Sequence, residues 1–360
     1  MIINWRDSET RHKGNIGDAV IVKSVYRESL DSEPLNQYPL GDKTYQSLTR
    51  IIGHEPDRAE ATITKFNYPE TDIKISPSIR KGDVYLLHDF HENPDGGMAA
   101  LLLTIDALKR GSASSITVVA PFMPYERGDW KPSSRKSIPA RLWPKLLETA
   151  GMTRMIRIDL HADQISGFYD CPIDALQTTG LFGDYIYDKI GGNIVIGTCD
   201  SGGDKRSDRM HRFLERRFNT AIPRAYIDKG RPQPGVSVIK GITGDVSGKD
   251  VVVIEDVADT CGTFANASQT YIERGGAKHV YGFETVGLFS HDKKKNESAE
   301  QKMQRTNDTS MWITDARYVP PQFFERNKGW LKGELSTAEL FAQAIYRNQT
   351  GESVSDLFEI

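Results

Sequence analysis

Short apolar runs alternate with amphipathic stretches along most of this chain, and that alternation limits the possible folds more than any other feature. "DVYLLHDF" reads as a strand, and "GGMAALLLTIDALKRG" as the helix behind it, closed by Gly111. "SITVVAPF" is the next strand and "PARLWPKLLETAG" the next helix, in spite of Pro144. "TRMIRIDL", "GNIVIGTCD" and "KDVVVIEDV" continue the series, each running into a polar loop. Strand, helix, strand in succession means βαβ units and a largely parallel sheet, an α/β architecture. In open sheets of this kind ligands gather at the carboxyl ends of the strands, where the chemically interesting residues of this chain also fall.

The 360 residues suffice for about two ordinary domains. No low-complexity linker and no internal repeat is visible. The break is placed at "QTTGLFGDY", where Gly180 and Gly183 interrupt the pattern, giving domains over 1–177 and 178–360. A net charge of −3 provides no positive field for nucleic acid or an acidic membrane surface. Three cysteines without a CxxC spacing disfavour a disulfide framework and a structural zinc site, and suit a reducing cytoplasm. "MIINWRDSETRHKGN" lacks the apolar core of a signal peptide, and "MAALLLTIDAL" is broken by Asp106 and too short to span a bilayer. A soluble cytoplasmic protein is expected. "SHDKKKNESAEQKMQRTNDTS" is polar and charged throughout and is expected to be a solvated surface loop.

The densest chemistry lies in "VVVIEDVADTCGTF", Val251 to Phe264. An apolar strand brings Glu255, Asp256 and Asp259 to its open end, and a loop of small residues leads into the helical stretch "FANASQTYIERGG". Such a loop aims several backbone N–H groups at one point, and the helix N-terminus adds positive charge, which makes a phosphate cradle. Carboxylates beside it repel the phosphate itself. They accept hydrogen bonds from sugar hydroxyls or coordinate Mg²⁺. Acids followed by a phosphate cradle describe a site for a ribose phosphate. A plain helix N-cap would explain one acid and one threonine, but not three acids before "TCGT".

This segment resembles the phosphoribosyl-diphosphate (PRPP) loop of the type I phosphoribosyltransferase superfamily. Further segments are similar to one family within it, the ribose-phosphate diphosphokinases or PRPP synthetases. "IDLHADQISGFYDCPIDAL" resembles that family's signature around its metal-binding histidine, and "YERGDWKPSSRKSIPARL" its ATP-binding stretch. "CDSGGDKR" resembles its D-x-G-G-x-x-R motif, "IDKGRP" its catalytic flexible loop and "TGESVSDLF" its C-terminal segment. The segments come in family order over Ala61 to Ile360, while the first fifty or so residues fit poorly.

The resemblance implies two similar phosphoribosyltransferase-like α/β domains facing each other, with the site in their cleft and the C-terminal segment packed back on the first domain. It implies transfer of the β,γ-diphosphate of ATP to the anomeric hydroxyl of ribose 5-phosphate, with Mg²⁺ as cofactor and AMP released. Phe66, Glu70, Arg127, Asp129 and Lys131 would meet ATP. His161 would bind Mg·ATP, and Asp200, with Gly202 and Gly203 behind it, would hold a second metal. Lys229 and Arg231, in a Gly/Pro-rich connection, would stabilise the migrating diphosphate. Glu255, Asp256, Asp259, Thr260, Cys261, Gly262 and Thr263 would bind the acceptor sugar phosphate. Homo-oligomers are implied as well, hexameric or built from dimers, with ATP pockets completed by a neighbouring subunit. His88 and His91 have no obvious third ligand nearby and are expected to be structural.

Several positions depart from the family pattern. "FNYPE" stands for F-x-D-G-E, and Pro69 there has fixed φ and no N–H. Gly128 and Trp130 stand where Gln and a cation are usual, "DGG" at Asp95 to Gly97 where N-D-N is usual, and Val286 where histidine is common. These changes miss the expected metal ligands, sugar loop and flexible-loop cations. Trp130 offers a stacking face for an additional base, so a larger acceptor such as ADP-ribose, used by some phage-type homologues in rebuilding NAD, is an alternative to ribose 5-phosphate. Two other readings are weaker. A non-catalytic regulatory subunit should have lost metal ligands or loop cations, and a PRPP-consuming transferase would not explain "DLHADQ".

Overall fold

The computed structural model describes residues 16–28, 34, 39–90, 93–199, 204–233 and 236–358, without the side chains at 204 and 229–240. The chain divides into two compact units. Unit 1 comprises Met1–Gln177, Ala316–Tyr318 and Ser336–Ile360, and unit 2 comprises Thr178–Asp315 and Val319–Leu335.

Unit 1 is built on seven strands, β1 (Ala19–Tyr26), β2 (Asp57–Lys65), β3 (Thr71–Ser76), β4 (Asp83–Leu87), β5 (Ser115–Val119), β6 (Arg154–Ile158) and β7 (Ile173–Leu176). Their order in the sheet is β3-β2-β1-β4-β5-β6-β7, parallel throughout except for the β2–β3 pair. Its helices are α1 (Pro39–Ile52), α2 (Pro94–Arg110), α3 (Pro139–Ala150) and α9 (Ala338–Thr350). The local signals explain α2. The Asn93 side chain accepts a hydrogen bond from the Gly96 amide at 2.8 Å, Pro94 presets the first turn, and Lys109 and Arg110 sit at the negative end. Met98, Leu101, Ile105 and Leu108 recur at helical spacing and are fully buried against Val84, Leu86, Ile116 and Val118 of the sheet. At the other end of the sequence, α9 packs on α1. The Tyr85 hydroxyl lies 2.7 Å from Asn348 Oδ1, and Gln349 Nε2 donates to Asp83 Oδ2 at 3.2 Å.

Unit 2 holds β8 (Ile194–Gly197), β9 (Arg224–Gln233), β10 (Val236–Thr243), β11 (Asp250–Ala258), β12 (His279–Gly287), β13 (Thr309–Thr314) and β14 (Leu331–Leu335). The sheet order is β10-β9-β8-β11-β12-β13-β14, antiparallel only between β9 and β10. Counted from its first strand, each unit has the same strand permutation and the same single antiparallel pair. The fold is thus a pair of similar α/β units, as the family resemblance implies, although no internal repeat is visible in the sequence. α4 (Thr179–Lys189) and α5 (Asp204–Phe218) place Phe182, Ile186, Met210 and Leu214 against Val252, Ile254 and Phe283 on one face of the sheet. α6 (Gly262–Gln269) places Phe264 and Ala267 against Val251, Val253 and Val280 on the other. Among the described residues no helix is long and apolar enough to cross a membrane.

Two expected loops are ordered structure. "AYIDKGRPQ", read as a connection, is most of β9. This strand pairs with β8 only at Arg224 and Ala225, then continues against β10 from Tyr226↔Thr243 to Gln233↔Val236. Pro232 is tolerated because it falls at an irregularity of that ladder, between the pairs of Gly230 and Gln233. The charged stretch after Ser290 contains α7 (Ala299–Gln304), opened by a reciprocal capping box between Ser298 and Gln301. Ala299 and Met303 join the core, and Lys302 is buried with its Nζ 2.8 Å from Asp292 Oδ2. The cap and the apolar pair outweigh the stretch's overall polarity. Beyond Val319, α8 (Pro321–Asn327) leads into β14.

β12 carries two demands that its neighbours impose. A Cβ on Gly282 would lie 2.5 Å from the Phe264 ring, so only glycine lets α6 seat against the sheet. Gly282→Ala is expected to cost about 1–3 kcal/mol, seen as a lower urea midpoint. Glu284 is 2% exposed, beside Glu255 in register, and its Oε2 has no hydrogen-bond partner among the described residues. Burial above all, then the charges of Glu255 and Asp256, hold its carboxyl well above the ordinary range against the opposing Arg206. Such a group keeps its proton in the folded chain where the unfolded chain has lost it, so stability falls as pH rises above the usual glutamate range. Glu284→Gln should match the native chain below about pH 4 and become increasingly the more stable of the two as pH rises, measured by urea unfolding across that range.

Candidate active site

In unit 2 the strand does not stop where its acids begin. β11 runs on through Glu255 and Asp256 to Ala258, and only Asp259 lies past its end. Side chains alternate along it, so Glu255 shares the face of Val251 and Val253 while Asp256 shares that of Val252 and Ile254. Asp256 Oδ2 lies 3.4 Å from Arg206 Nη2 of α5, both side chains nearly buried. The strand therefore presents one acid to each side, and the sequence pattern alone had grouped them.

The loop that follows is braced from behind. The Ala258 carbonyl accepts from the amides of Leu288 and Phe289, and that of Asp259 from Ser290. Cys261 takes a left-handed conformation at φ 54°, uncommon for a side chain with a Cβ, and turns the chain into α6 at Gly262. The first-turn amides of a helix have no acceptor within it, and they carry the positive end of its dipole. The Cys261 side chain points into the core, and burial first, then Glu284 and Asp259, push its thiol up. Of Cys261, then, only the main chain is offered at the loop. Asp259, Thr260 and Gly262 are half-buried and Thr263 is exposed. The Lys302 ammonium would lie 3.6 Å from a Cβ on Gly262, a buried cation beside the loop that charge composition had hidden. Lys229 and Arg231 lie on β9, and Lys229 pairs with Ile239. Asp200, Gly202 and Gly203 lie outside the described residues, as does His91.

In unit 1 the nucleotide candidates fall in three places. Phe66 and Glu70 close the turn between β2 and β3, with the Phe66 amide donating to the Glu70 carbonyl at 3.0 Å. Both side chains are exposed, and Phe66 is 58% so. Arg127, Asp129 and Lys131 follow β5, and His161 follows β6. The structure ties these last two segments together. Gln164 Nε2 donates to Asp129 Oδ2 at 2.7 Å, and the His161 amide donates to Glu126 Oε2 at 3.2 Å. Gly128 is required by close approach, since a Cβ there would meet Pro139 at 2.5 Å. Trp130 is 64% exposed, and Arg127 and Lys131 are exposed too. His88 is fully buried, 2.8 Å from Ser24 Oγ through Nδ1, and burial lowers its pKa to about 3. It is a neutral structural residue. Among the described residues no cluster of three metal-ligating side chains occurs. An ion that takes most of its ligands from phosphates and water needs only one or two from the protein, which is how Mg²⁺ is commonly held beside nucleotides.

Comparison with known proteins adds an independent line. Residues 41–151 match the model of the N-terminal domain of ribose phosphate pyrophosphokinase, and residues 217–359 that of the phosphoribosyl synthetase-associated domain. The ribose-phosphate pyrophosphokinase of Bacillus subtilis (strain 168) is 37% identical over 314 residues, 87% of this chain and 93% of that protein. The one from Corynebacterium ammoniagenes is 38% identical over 299 residues, 83% of this chain and 89% of that protein. The crystal structure of phosphoribosylpyrophosphate synthetase from Mycobacterium smegmatis superposes with a TM-score of 0.77 at 29% identity, covering 92% of this chain and 99% of that one. With its duplicated sheet order and near-complete coverage of these relatives, the chain belongs to the ribose-phosphate pyrophosphokinase family.

Proposed function

We infer that this chain transfers the β,γ-diphosphate of ATP to the anomeric hydroxyl of ribose 5-phosphate, yielding PRPP and AMP. The observation that carries this is identity of 37% along 93% of a ribose-phosphate pyrophosphokinase, from one family domain through the next. Such a transfer needs positioning and charge neutralisation more than covalent help. Asp259 and the half-buried Glu255 accept hydrogen bonds from the ribose hydroxyls, and Asp256 is steadied by Arg206. The main chain of Thr260 to Thr263 and the start of α6 take the 5-phosphate. Arg127 and Lys131 meet the ATP phosphates. His161 and Asp200 would hold Mg²⁺, which when bound offsets the charge on the phosphates. Lys229 and Arg231 stabilise the migrating group.

The exposed ring of Phe66 at a turn tip suits contact with the nucleotide of a neighbouring copy, as a homo-oligomer would require. Three free cysteines, two of them buried, suit a reducing compartment. Because the curated relatives are ribose-phosphate pyrophosphokinases, ribose 5-phosphate is preferred over ADP-ribose as acceptor.

Incubation with ATP, Mg²⁺ and each acceptor in turn, followed by chromatography, tests the reading. AMP and PRPP are expected with ribose 5-phosphate. Product with ADP-ribose alone would overturn the acceptor assignment, and no AMP with either would overturn the activity. Lys229→Ala and Arg231→Ala should each lower kcat about 10²–10³-fold with little change in either KM. Asp259→Asn should raise KM for ribose 5-phosphate and leave that for ATP nearly constant, as steady-state kinetics would show.

A further inference from the structure

Behind the nucleotide segments of unit 1 lies a buried ion pair that the reaction as described does not use. Glu126 is 8% exposed and Arg157 is 2% exposed. Glu126 stands in the loop after β5, one residue before Arg127. Arg157 stands on β6, four residues before His161. Arg157 Nη1 donates to Glu126 Oε1, and the other carboxylate oxygen, Oε2, accepts from the backbone amide of His161. One buried carboxylate thus has two duties, and between them they join the strand, the loop of Arg127 and the residue expected to meet Mg·ATP.

A pair of this kind is costly to bury. Removing two charges from water takes several kcal/mol per ion, and an apolar pair of similar volume commonly serves stability as well or better. Cohesion alone therefore gives no reason for an arginine buried in a strand whose other buried residues are Met155, Ile156 and Ile158. The pair does supply direction. A carboxylate gripped through one oxygen cannot swing, so its second oxygen fixes where the His161 amide points, and Glu126 itself fixes the start of the Arg127 loop. Ionisable groups around the pair include His161, which acts on Glu126, and Tyr169, which both partners face together with Cys171 and Glu148. Glu148 accepts from the amides of Asp170 and Cys171 at 2.7 and 2.9 Å.

We propose that Glu126 and Arg157 form a positioning pair for the nucleotide side of the reaction, setting the relation of His161 to Arg127 through the Glu126–His161 amide bond. This rests on the assignment of His161 and Arg127 to ATP. The decisive variant is the double change Glu126→Leu with Arg157→Met, which keeps the volume and removes both charges. It is expected to fold with a Tm at or above the native value, yet to lose about ten- to a hundredfold in kcat/KM for ATP while KM for ribose 5-phosphate stays within about twofold. Hydrogen exchange should show the peptide around His161 exchanging faster, with peptides of unit 2 unchanged. Glu126→Gln, which keeps an acceptor for the amide, should recover most of the loss and serves if the double variant does not fold.

A double variant with native Tm and native kinetics overturns the proposal, as does an equal rise in both Michaelis constants or unchanged exchange at His161. If Glu126→Gln were as damaging as the double variant, the amide bond would not be the operative contact, and the proposal would fall. His161→Ala and Arg127→Ala are the controls on the underlying assignment. If neither alters kcat/KM for ATP, it is the nucleotide reading that fails, independently of the exchange result at the Glu126–His161 bond.

Discussion

Parallel pairing of β11 with its neighbours is the constraint from which the rest of unit 2 follows. β8 and β12 flank it in register, and both faces are covered by helices, so Val251 to Ile254 must be apolar on both sides. The strand can carry charge only near its end. There Glu255 lies beside Glu284, whose carboxyl burial holds well above the ordinary range, and Asp256 meets Arg206, and the chain then turns sharply at Cys261 to begin α6. β8 and β11 are also where the strand order reverses, the kind of position at which open α/β sheets bind their ligands. Acids, turn and helix start are thus collected by topology before any ligand is considered.

Much of this was legible in the sequence, for particular reasons. The runs "DVYLLHDF" and "KDVVVIEDV" are strands because two-sided burial demands consecutive apolar residues, and α2 was readable because Pro94, the apolar spacing and Gly111 all agree. The loop after β11 stands out in the sequence because three acids before "TCGT" exceed what a cap requires. His88, expected to be structural, is fully buried with its Nδ1 2.8 Å from Ser24 Oγ.

What escaped the sequence escaped for physical reasons too. The likeness of the two units follows from the family resemblance and not from any visible repeat, because a parallel sheet asks only that each strand be apolar, so two copies of one topology can share almost no residue identities. Glu284 and Arg157 sit inside strands that read as apolar, and their importance comes from neighbours distant in sequence, Glu255 and Glu126. The stretch from Ser290 to Ser310 was judged by its charge, although Ser298, Gln301, Ala299 and Met303 already spelled a short capped helix. Gly230 and Pro232 break strand patterns, so β9 reads as a connection in the sequence, whereas main-chain pairing with β10 tolerates both.

The path of the chain between its units has a practical side. It passes from unit 1 to unit 2 after Gln177, returns for Ala316–Tyr318, leaves again, and comes back for good at Ser336. α9, which follows unit 2 in the sequence, supplies the partner that α1 packs against ahead of it. No single cut in the gene can release two self-sufficient halves. Unit 1 is therefore closed by segments encoded beyond unit 2's first residues, so its folding waits on chain that follows most of unit 2.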